Sequence, residues 1–394
     1  MNNRDPEIKD ENLKILVINY EFPPLGGGGG VATYDLALEW EKYGRVDVLT
    51  SNYKGLDSFE NVKGINIFRT KVLFRKSRDA ASFISMFSFL ITGFIAGFKL
   101  CKKNRYDIIN THFAVPSGPL GYIFGKIFKI PNVLSLHGGD IYDPSKRLSP
   151  HKSLIFGRIV KFILNRADRI VAQSSNTRDN AVTYYKPNKE IKIIPLAFHP
   201  PIVGRKGRES IGLDKDSFYF ITIGRLVKRK SIDTILHAMS KINIKKIKFL
   251  VMGDGPEIDF LVNLTGELGL NDRVKFLGYI PNEDKYTYLK NSNSFILTSM
   301  HEGFGIVFME SMFAGLPIVC SNHGGQVDFL KDEENALLIE VGDVESCKKS
   351  MLRVYKDKEL RSRMYKNNKK KVKDFYGEGV AYEYIKIFRE LKRS

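Results

Sequence analysis

The chain has 394 residues, 43% apolar and 27% charged, with 62 Lys and Arg against 44 Asp and Glu for a formal charge of +18. Those proportions exclude a disordered, collagenous or coiled-coil protein, and the length suits two domains that each bury a core. Three cysteines, at 101, 320 and 347, form neither a CxxC pair nor an even framework, which argues against a disulfide-stapled fold or thiolate zinc site and for a reducing compartment.

Met1–Lys14 is polar and lacks the apolar core of a signal peptide, so a cytoplasmic chain is expected. Strand-like runs then follow at Lys14–Asn19, Val46–Thr50, Ile65–Arg69, Asp107–Thr111, Asn132–Leu136, Arg169–Ala172 and Ile191–Ile194. The segment His199–Gly212, with Pro200, Pro201, Gly204, Gly207 and Gly212, reads as a linker centred near residue 205. Beyond it the runs resume at Phe218–Ile223, Ile247–Met252, Arg273–Leu277, Ser294–Thr298, Pro317–Cys320 and Ala336–Glu340. Helix-length stretches separate most of them, the pattern of parallel α/β sheets. Two doubly wound, Rossmann-like domains are predicted, with ligands at the carboxyl ends of the strands and the active site in the cleft between domains. The expected division is 1–203, 204–378 and a last helix, 379–394. That helix carries Tyr384, Ile387, Phe388 and Leu391 at the spacing of one helical face, so it must dock on a core.

The excess charge is uneven, with 29 basic against 18 acidic residues in 1–200. Two clusters, Arg69, Lys71, Arg75, Lys76, Arg78 and then Lys99, Lys102, Lys103, Arg105, bracket Ala80–Phe98, nineteen uncharged residues. That is close to the ~20 needed to span a bilayer. However, Ser85, Ser88, Thr92 and Ala96 share one helical face, while Phe83, Phe87, Leu90, Phe94 and Phe98 share another. A buried domain helix, an interfacial membrane helix and a true span all fit this division.

Three glycine-bearing loops follow predicted strands. Gly26–Gly30 precedes the helical stretch Val31–Trp40, where free backbone amides and the helix dipole favour an anion; a flexible surface loop is the alternative. As a dinucleotide fingerprint it is weak, because position 31 is Val31 and the acid Asp47 lies inside the next strand. After Phe218–Ile223 comes Gly224-Arg225-Leu226-Val227-Lys228-Arg229-Lys230, whose Arg225 and Lys230 suit a diphosphate, or else form a plain basic surface run. After Ser294–Thr298, Glu302 and Glu310 flank Gly303-Phe304-Gly305-Ile306-Val307. Carboxylates there suit a hydroxyl-rich ligand, and the glycine loop between them argues against a hydrolase acid/base pair. Asp214-Lys215-Asp216, away from any strand end, reads as a turn, and His112, His151, His237 and His323 lack ligand spacing; no metal site is expected.

The stretch from Glu302 to Glu310 resembles the E-x7-E signature of retaining GT-B glycosyltransferases of family 4 (glycosyltransferase group 1). Gly253-Asp254-Gly255-Pro256, Gly278-Tyr279-Ile280-Pro281, Gly324-Gly325, Asp107–His112 and His137-Gly138-Gly139-Asp140 fit the same pattern in order, so the resemblance spans about 15 to 375. It implies two Rossmann-like domains facing a central cleft, with the C-terminal helix crossing back to the first. It implies retaining, metal-independent transfer of a sugar from a nucleoside diphosphate sugar to a glycan or lipid-linked acceptor in cell-surface polysaccharide or glycolipid synthesis, with no cofactor. By position, Arg225 and Lys230 would hold the diphosphate, Glu310 the ribose, and Glu302 the donor sugar with the Gly303, Phe304, Gly305, Ile306 and Val307 backbone. Tyr279 and Ile280 would flank the base, His137 would sit over the sugar, and Gly29 and Gly30 would close on the phosphate. Gly28 and Asp140 would shape the acceptor side. Pro195–His199 departs from the family's Asn-Gly-Val-Asp run, and Asp328 stands where Glu is usual.

Two other classes share some of these features: a nicotinamide-dependent oxidoreductase, and a noncatalytic basic membrane-binding protein. The charge flanking Ala80–Phe98 predicts docking to an anionic membrane at the inner face of the cell, and no nucleic acid partner.

Overall fold

Strand runs that are apolar along their whole length must be covered on both faces, and here they are. A computed structural model describes residues 12–75, 78, 82–146, 148–202, 204 and 206–393, with Asn282 and Glu283 as backbone only. Met1–Glu11, Lys76, Ala80, Ala81 and residue 205 lie outside them. One unit runs to His199 and resumes at Phe375; the other is Pro200–Asp374.

The first unit carries β1 (Leu13–Ile18), β2 (Gly44–Ser51), β3 (Phe59–Val62), β4 (Ile65–Thr70), β5 (Ile108–His112), β6 (Asn132–Leu136), β7 (Arg169–Ala172) and β8 (Ile191–Ile193). They line up as β3-β4-β2-β1-β5-β6-β7-β8, and only β3 runs antiparallel to its neighbour. The order reverses at β1 and β5, a switch point where the loops leaving both strands open a crevice. β3 was not anticipated from sequence. Its four residues alternate in exposure and fold back through Lys63-Gly64, both at positive φ (51° and 87°), as a short polar edge hairpin.

The second unit carries β9 (Phe218–Ile223), β10 (Ile247–Met252), β11 (Val274–Gly278), β12 (Ser294–Leu297), β13 (Ile318–Ser321) and β14 (Ala336–Ile339). The sheet, β11-β10-β9-β12-β13-β14, is parallel throughout and switches at β9 and β12. Asp214 closes the predicted turn, its carboxylate accepting from Ser217 Oγ at 2.5 Å and Asp216 N at 3.1 Å.

The helix Phe83–Lys103 is long and apolar enough to cross a membrane by length and composition alone. Its small residues pack inward. Ser85 Oγ accepts from Tyr20 OH at 2.8 Å, and a Cβ on Gly93 or Gly97 would strike Leu120 or Phe124 at 2.9 and 2.3 Å. Phe83, Phe87, Phe94 and Phe98 face outward. The expectation that Arg69 and Arg75 add to the charge beside this helix needs correcting, because both are buried. Arg69 pairs with Glu60 at 2.5 Å and donates to Pro23 O at 2.7 Å. Arg75 donates to Ser51 Oγ and Arg78 O at 2.9 and 2.8 Å and lies over the Tyr20 ring.

The last helix, Gly377–Arg393, returns to the first unit, where Tyr384 and Phe388 set their rings 5.4 and 5.3 Å from that of Trp40. His199 locks the joint. Its Nε2 lies 2.7 Å from Glu39 Oε1 and its Nδ1 3.6 Å from Asp35 Oδ1, while Phe198 exchanges backbone bonds with Phe375 and Gly377 at 2.8 and 3.2 Å. The unusual Pro195–His199 run thus ends in a residue that ties the Gly28–Trp40 helix to the returning chain. The Asp35 and Glu39 carboxylates raise the His199 imidazolium to about 9, against the opposing effect of burial. A raised folded-state value stabilises fully below the ordinary ~6.5 and is lost as pH climbs through about 9. The thermal midpoint should therefore fall between neutral pH and pH ~9.5 more steeply in the wild type than in His199→Gln, measured by circular dichroism melts across that range.

Candidate functional site

In the second unit, the loops leaving β9 and β12 meet at the switch point. Gly224, at φ +149°, turns the chain out of β9 into Arg225, which is exposed, and into the turn Lys228–Lys230 ahead of the helix Ile232–Ser240. Lys230 points back inside. Its Nζ donates to Glu302 Oε1 at 2.7 Å, and both side chains are buried. Ser299 Oγ donates to the same oxygen at 2.6 Å, and Arg229 Nη1 lies 3.4 Å away while donating to His301 O at 2.5 Å. Burial pushes the Glu302 carboxyl up, but the Lys230 and Arg229 charges and the two hydrogen bonds outweigh it and hold the group down at about 2. Burial lowers Lys230, with Glu302 opposing. Glu302 is therefore an ionised acceptor at neutral pH and cannot act as a general acid.

Neighbouring glycines exist for contact with these loops. A Cβ on Gly253 would stand 2.0 Å from Gly224 O, and one on Gly255 2.2 Å from Leu226 O. A Cβ on Gly324 would stand 2.7 Å from Glu302 O, the carbonyl to which Gly325 N–H donates at 2.8 Å. Gly305, at φ +90°, begins the helix Ile306–Ala314, which has no side-chain cap and no acid in its first turn. The amides of Ile306 and Val307 and the helix dipole are thus available to an anion. Phe304 is buried on Phe329, ring centroids 4.8 Å apart. Glu310, buried further along the helix, takes Lys285 Nζ at 2.5 Å and Tyr286 OH at 3.4 Å on Oε1, leaving Oε2 with no partner among the described residues. Tyr279 is 76% exposed, and Ile280 half-buried, just after β11.

In the first unit, Gly28–Gly30 form the first turn of the helix Gly28–Trp40, again without side-chain cap or acid. A Cβ on Gly29 would stand 2.7 Å from Phe113 Cζ and 3.2 Å from His137 Nδ1, and one on Gly30 3.0 Å from Glu21 O. A hydrogen-bond chain reaches His137. Asn19 Oδ1 accepts from Glu21 N at 2.9 Å, so its Nδ2 donates to Thr33 Oγ1 at 2.8 Å. Thr33 Oγ1 donates to Gly29 O at 2.7 Å and lies 3.0 Å from His112 Nδ1. That nitrogen in turn stands 2.9 Å from His137 Nε2, so the two rings share one proton between facing nitrogens. Burial lowers His137 to about 4 and holds His112 well below its ordinary value, so both rings are neutral at physiological pH.

Asp140, expected to shape an acceptor side, has both oxygens committed to backbone. Oδ2 accepts from Ala114 N at 2.7 Å and Oδ1 from His137 N at 3.0 Å, and burial raises the group to about 6. It is a positioning residue for the His137 turn. His112, Thr33, Asn19, Ser299, Arg229 and Lys285 escaped the motif reading; the signal for His112 was its place at the end of a strand beside the switch point.

Two family models divide the chain: Glycosyl transferases group 1 matches residues 205–371, and Glycosyltransferase Family 4 matches 26–200. The chain is 30% identical over 294 residues, 71% of its length and 73% of the relative's, to the UDP-Gal:alpha-D-GlcNAc-diphosphoundecaprenol alpha-1,3-galactosyltransferase of Escherichia coli. It is a group 1 glycosyltransferase of the GT-B fold. An uncharacterized glycosyltransferase of Methanocaldococcus jannaschii is 26% identical over 96% of this glycosyltransferase and 98% of itself. The sucrose-phosphate synthase of Thermosynechococcus elongatus shares the fold, with TM-score 0.85, 22% identity and coverage of 96% and 99%. Family membership replaces the oxidoreductase and noncatalytic alternatives with a transferase.

Because Gly29 lies against both Phe113 and His137, Gly29→Ala should displace the His137 ring. We expect roughly tenfold or greater loss of glycosyl transfer with an unchanged thermal midpoint, read by steady-state kinetics beside a melt.

Proposed function

We propose that this glycosyltransferase moves a sugar, with retention of anomeric configuration and without a metal, from a nucleoside diphosphate sugar to a hydroxyl of a glycan or lipid-linked acceptor. The observation that carries the reading is the buried Lys230–Glu302 pair beside the uncapped helix at Gly305, at the switch point of the second sheet. There Arg225, Lys230 and the Ile306 and Val307 amides supply fixed positive charge to a departing diphosphate, a task otherwise given to a divalent cation. As the bond between the anomeric carbon and the diphosphate oxygen breaks, its electron pair leaves with the diphosphate. The acceptor hydroxyl forms the new bond, and its proton passes to the departing phosphate oxygen.

Glu302, held ionised, accepts from hydroxyls of the donor sugar with the Gly303–Gly305 backbone around it, while Glu310 accepts from the ribose through Oε2, the oxygen that Lys285 leaves open. Tyr279 and Ile280 offer an open apolar edge to the base. In the first unit, His137 contributes a neutral ring beside Gly29 and Gly30, with Gly28 toward the acceptor. The name of the Escherichia coli relative gives UDP-Gal as donor and a diphosphoundecaprenol-linked sugar as acceptor. That supports a nucleotide-linked donor here, a membrane-borne acceptor, a role in polysaccharide or glycolipid synthesis, and a cytoplasmic site of work at the inner face of the membrane.

A panel of nucleoside diphosphate sugars, screened by thermal shift and then by nucleoside diphosphate release in the presence of chelator, tests the reading. One donor should give turnover, with the product anomer by NMR matching the donor. Glu302→Ala and Lys230→Ala should each lower turnover by roughly a hundredfold or more. Inverted product, or wild-type rates in either variant, would contradict it.

A further inference from the structure

The first unit exposes an apolar face that its own fold leaves uncovered. On the helix Phe83–Lys103, Ile84, Phe87, Ile91 and Ile95 form one continuous outward stripe, with Phe87 65% exposed. The helix Leu154–Arg166 adds Leu154, 80% exposed, and Ile155. The two helices meet where Phe83 stacks on Phe156 at 5.7 Å, and the helix Gly118–Phe128 packs against both, through Gly93 on Leu120 and through Tyr122 on Phe162 at 5.1 Å.

Charge decides what covers the face. None of the three helices contains an acidic residue. Exposed Lys99, Lys102 and Lys103 end the first, and exposed Arg158, Lys161 and Arg166 lie along the second. The acids that follow these two helices in sequence are engaged elsewhere: Asp107 takes Lys14 N at 2.9 Å and Lys392 at 3.2 Å, and Asp168 takes Asn132 N at 2.7 Å. An apolar stripe whose helices carry cations and no acid fits the headgroup and upper acyl region of an anionic bilayer, where apolar burial and attraction to lipid phosphate act together. A span does not fit. Ser85 is hydrogen-bonded to Tyr20, and Gly93 and Gly97 sit against the Leu120 and Phe124 side chains, so this helix belongs to the packed domain.

We propose that the outward faces of Phe83–Lys103 and Leu154–Arg166 form one membrane-docking surface that lies in the plane of an anionic leaflet. The inference deepens the membrane-borne acceptor reading above by naming the surface. It also narrows the electrostatic contact expected from sequence, since Arg69 and Arg75 are buried, while Lys99, Lys102 and Lys103 are exposed on the first helix and Arg158, Lys161 and Arg166 add to them on the second.

The chain contains a single tryptophan, Trp40, which is fully buried, so Phe87→Trp places a second reporter on the face. With vesicles of phosphatidylcholine and phosphatidylglycerol, we expect a blue shift of the added emission, quenching by acyl-brominated lipid, and binding about tenfold or more tighter than to phosphatidylcholine alone. The triple variant Phe87→Ser, Leu154→Ser, Ile155→Ser should bind these vesicles about tenfold or more weaker, with its melt and its nucleoside diphosphate binding unchanged. An unshifted, unquenched reporter on bound protein, equal binding by the triple variant, or indifference to anionic lipid would overturn the proposal. So would a concentration-dependent dimer that the triple variant dissolves, which would assign the face to a second copy of the chain. Vesicle binding without sugar transfer would count against the function alone, and sugar transfer to a soluble acceptor without vesicle binding against the surface alone.

Discussion

A carboxylate can be kept ionised inside a protein only if a cation and hydrogen-bond donors are fixed against it, and Glu302 satisfies that condition through Lys230, Ser299 and Arg229. Lys230 follows β9 and Glu302 follows β12, the adjacent strands at which the second sheet reverses its order. The pairing therefore fixes the two loops that any ligand at this switch point must touch. Glycine conformations follow from the same constraint. Gly253 and Gly255 let the β10 loop press on Gly224–Leu226, and Gly324 and Gly325 let the β13 loop grip the Glu302 backbone. Substituting a larger residue at Gly253, Gly255 or Gly324 would press on the loops that carry the pair.

The first unit solves a different problem with neutral groups. A row of hydrogen bonds from the Glu21 amide through Asn19, Thr33 and His112 reaches the ring of His137, while Asp140 anchors the turn that carries it. Burial keeps both histidines uncharged, so this row of polar groups is neutral, whereas the loops of the second unit hold a buried ion pair.

Much of this was legible in the sequence because both sheets are parallel and buried on both faces, which makes each strand a continuous apolar run with a helix-length gap behind it. Phe218–Ile223 and Ile247–Met252 were read to the residue. β3 escaped because a four-residue edge hairpin has neither apolar continuity nor length. Arg69 and Arg75 were misjudged because charge counting assumes exposure, whereas a backbone carbonyl, a serine hydroxyl and Glu60 had drawn both guanidinium groups inside. The role of His112 was illegible for a related reason. A lone histidine has no spacing signal, and only the three-dimensional adjacency of β5 and β6 brings it to His137.

On the function proposed above, one buried ion pair both holds the second unit's loops together and seats the donor diphosphate. That double role is tested most directly by comparing wild type, Lys230→Met, Glu302→Gln and the double variant, each by denaturant unfolding and by calorimetric titration with nucleoside diphosphate. Lys230→Met leaves Glu302 buried without its cation and should be the least stable. The double variant should recover much of that stability, because no unpaired charge remains, and yet bind the nucleoside diphosphate roughly a hundredfold more weakly than the wild type. A stable double variant that binds with wild-type affinity would contradict the account.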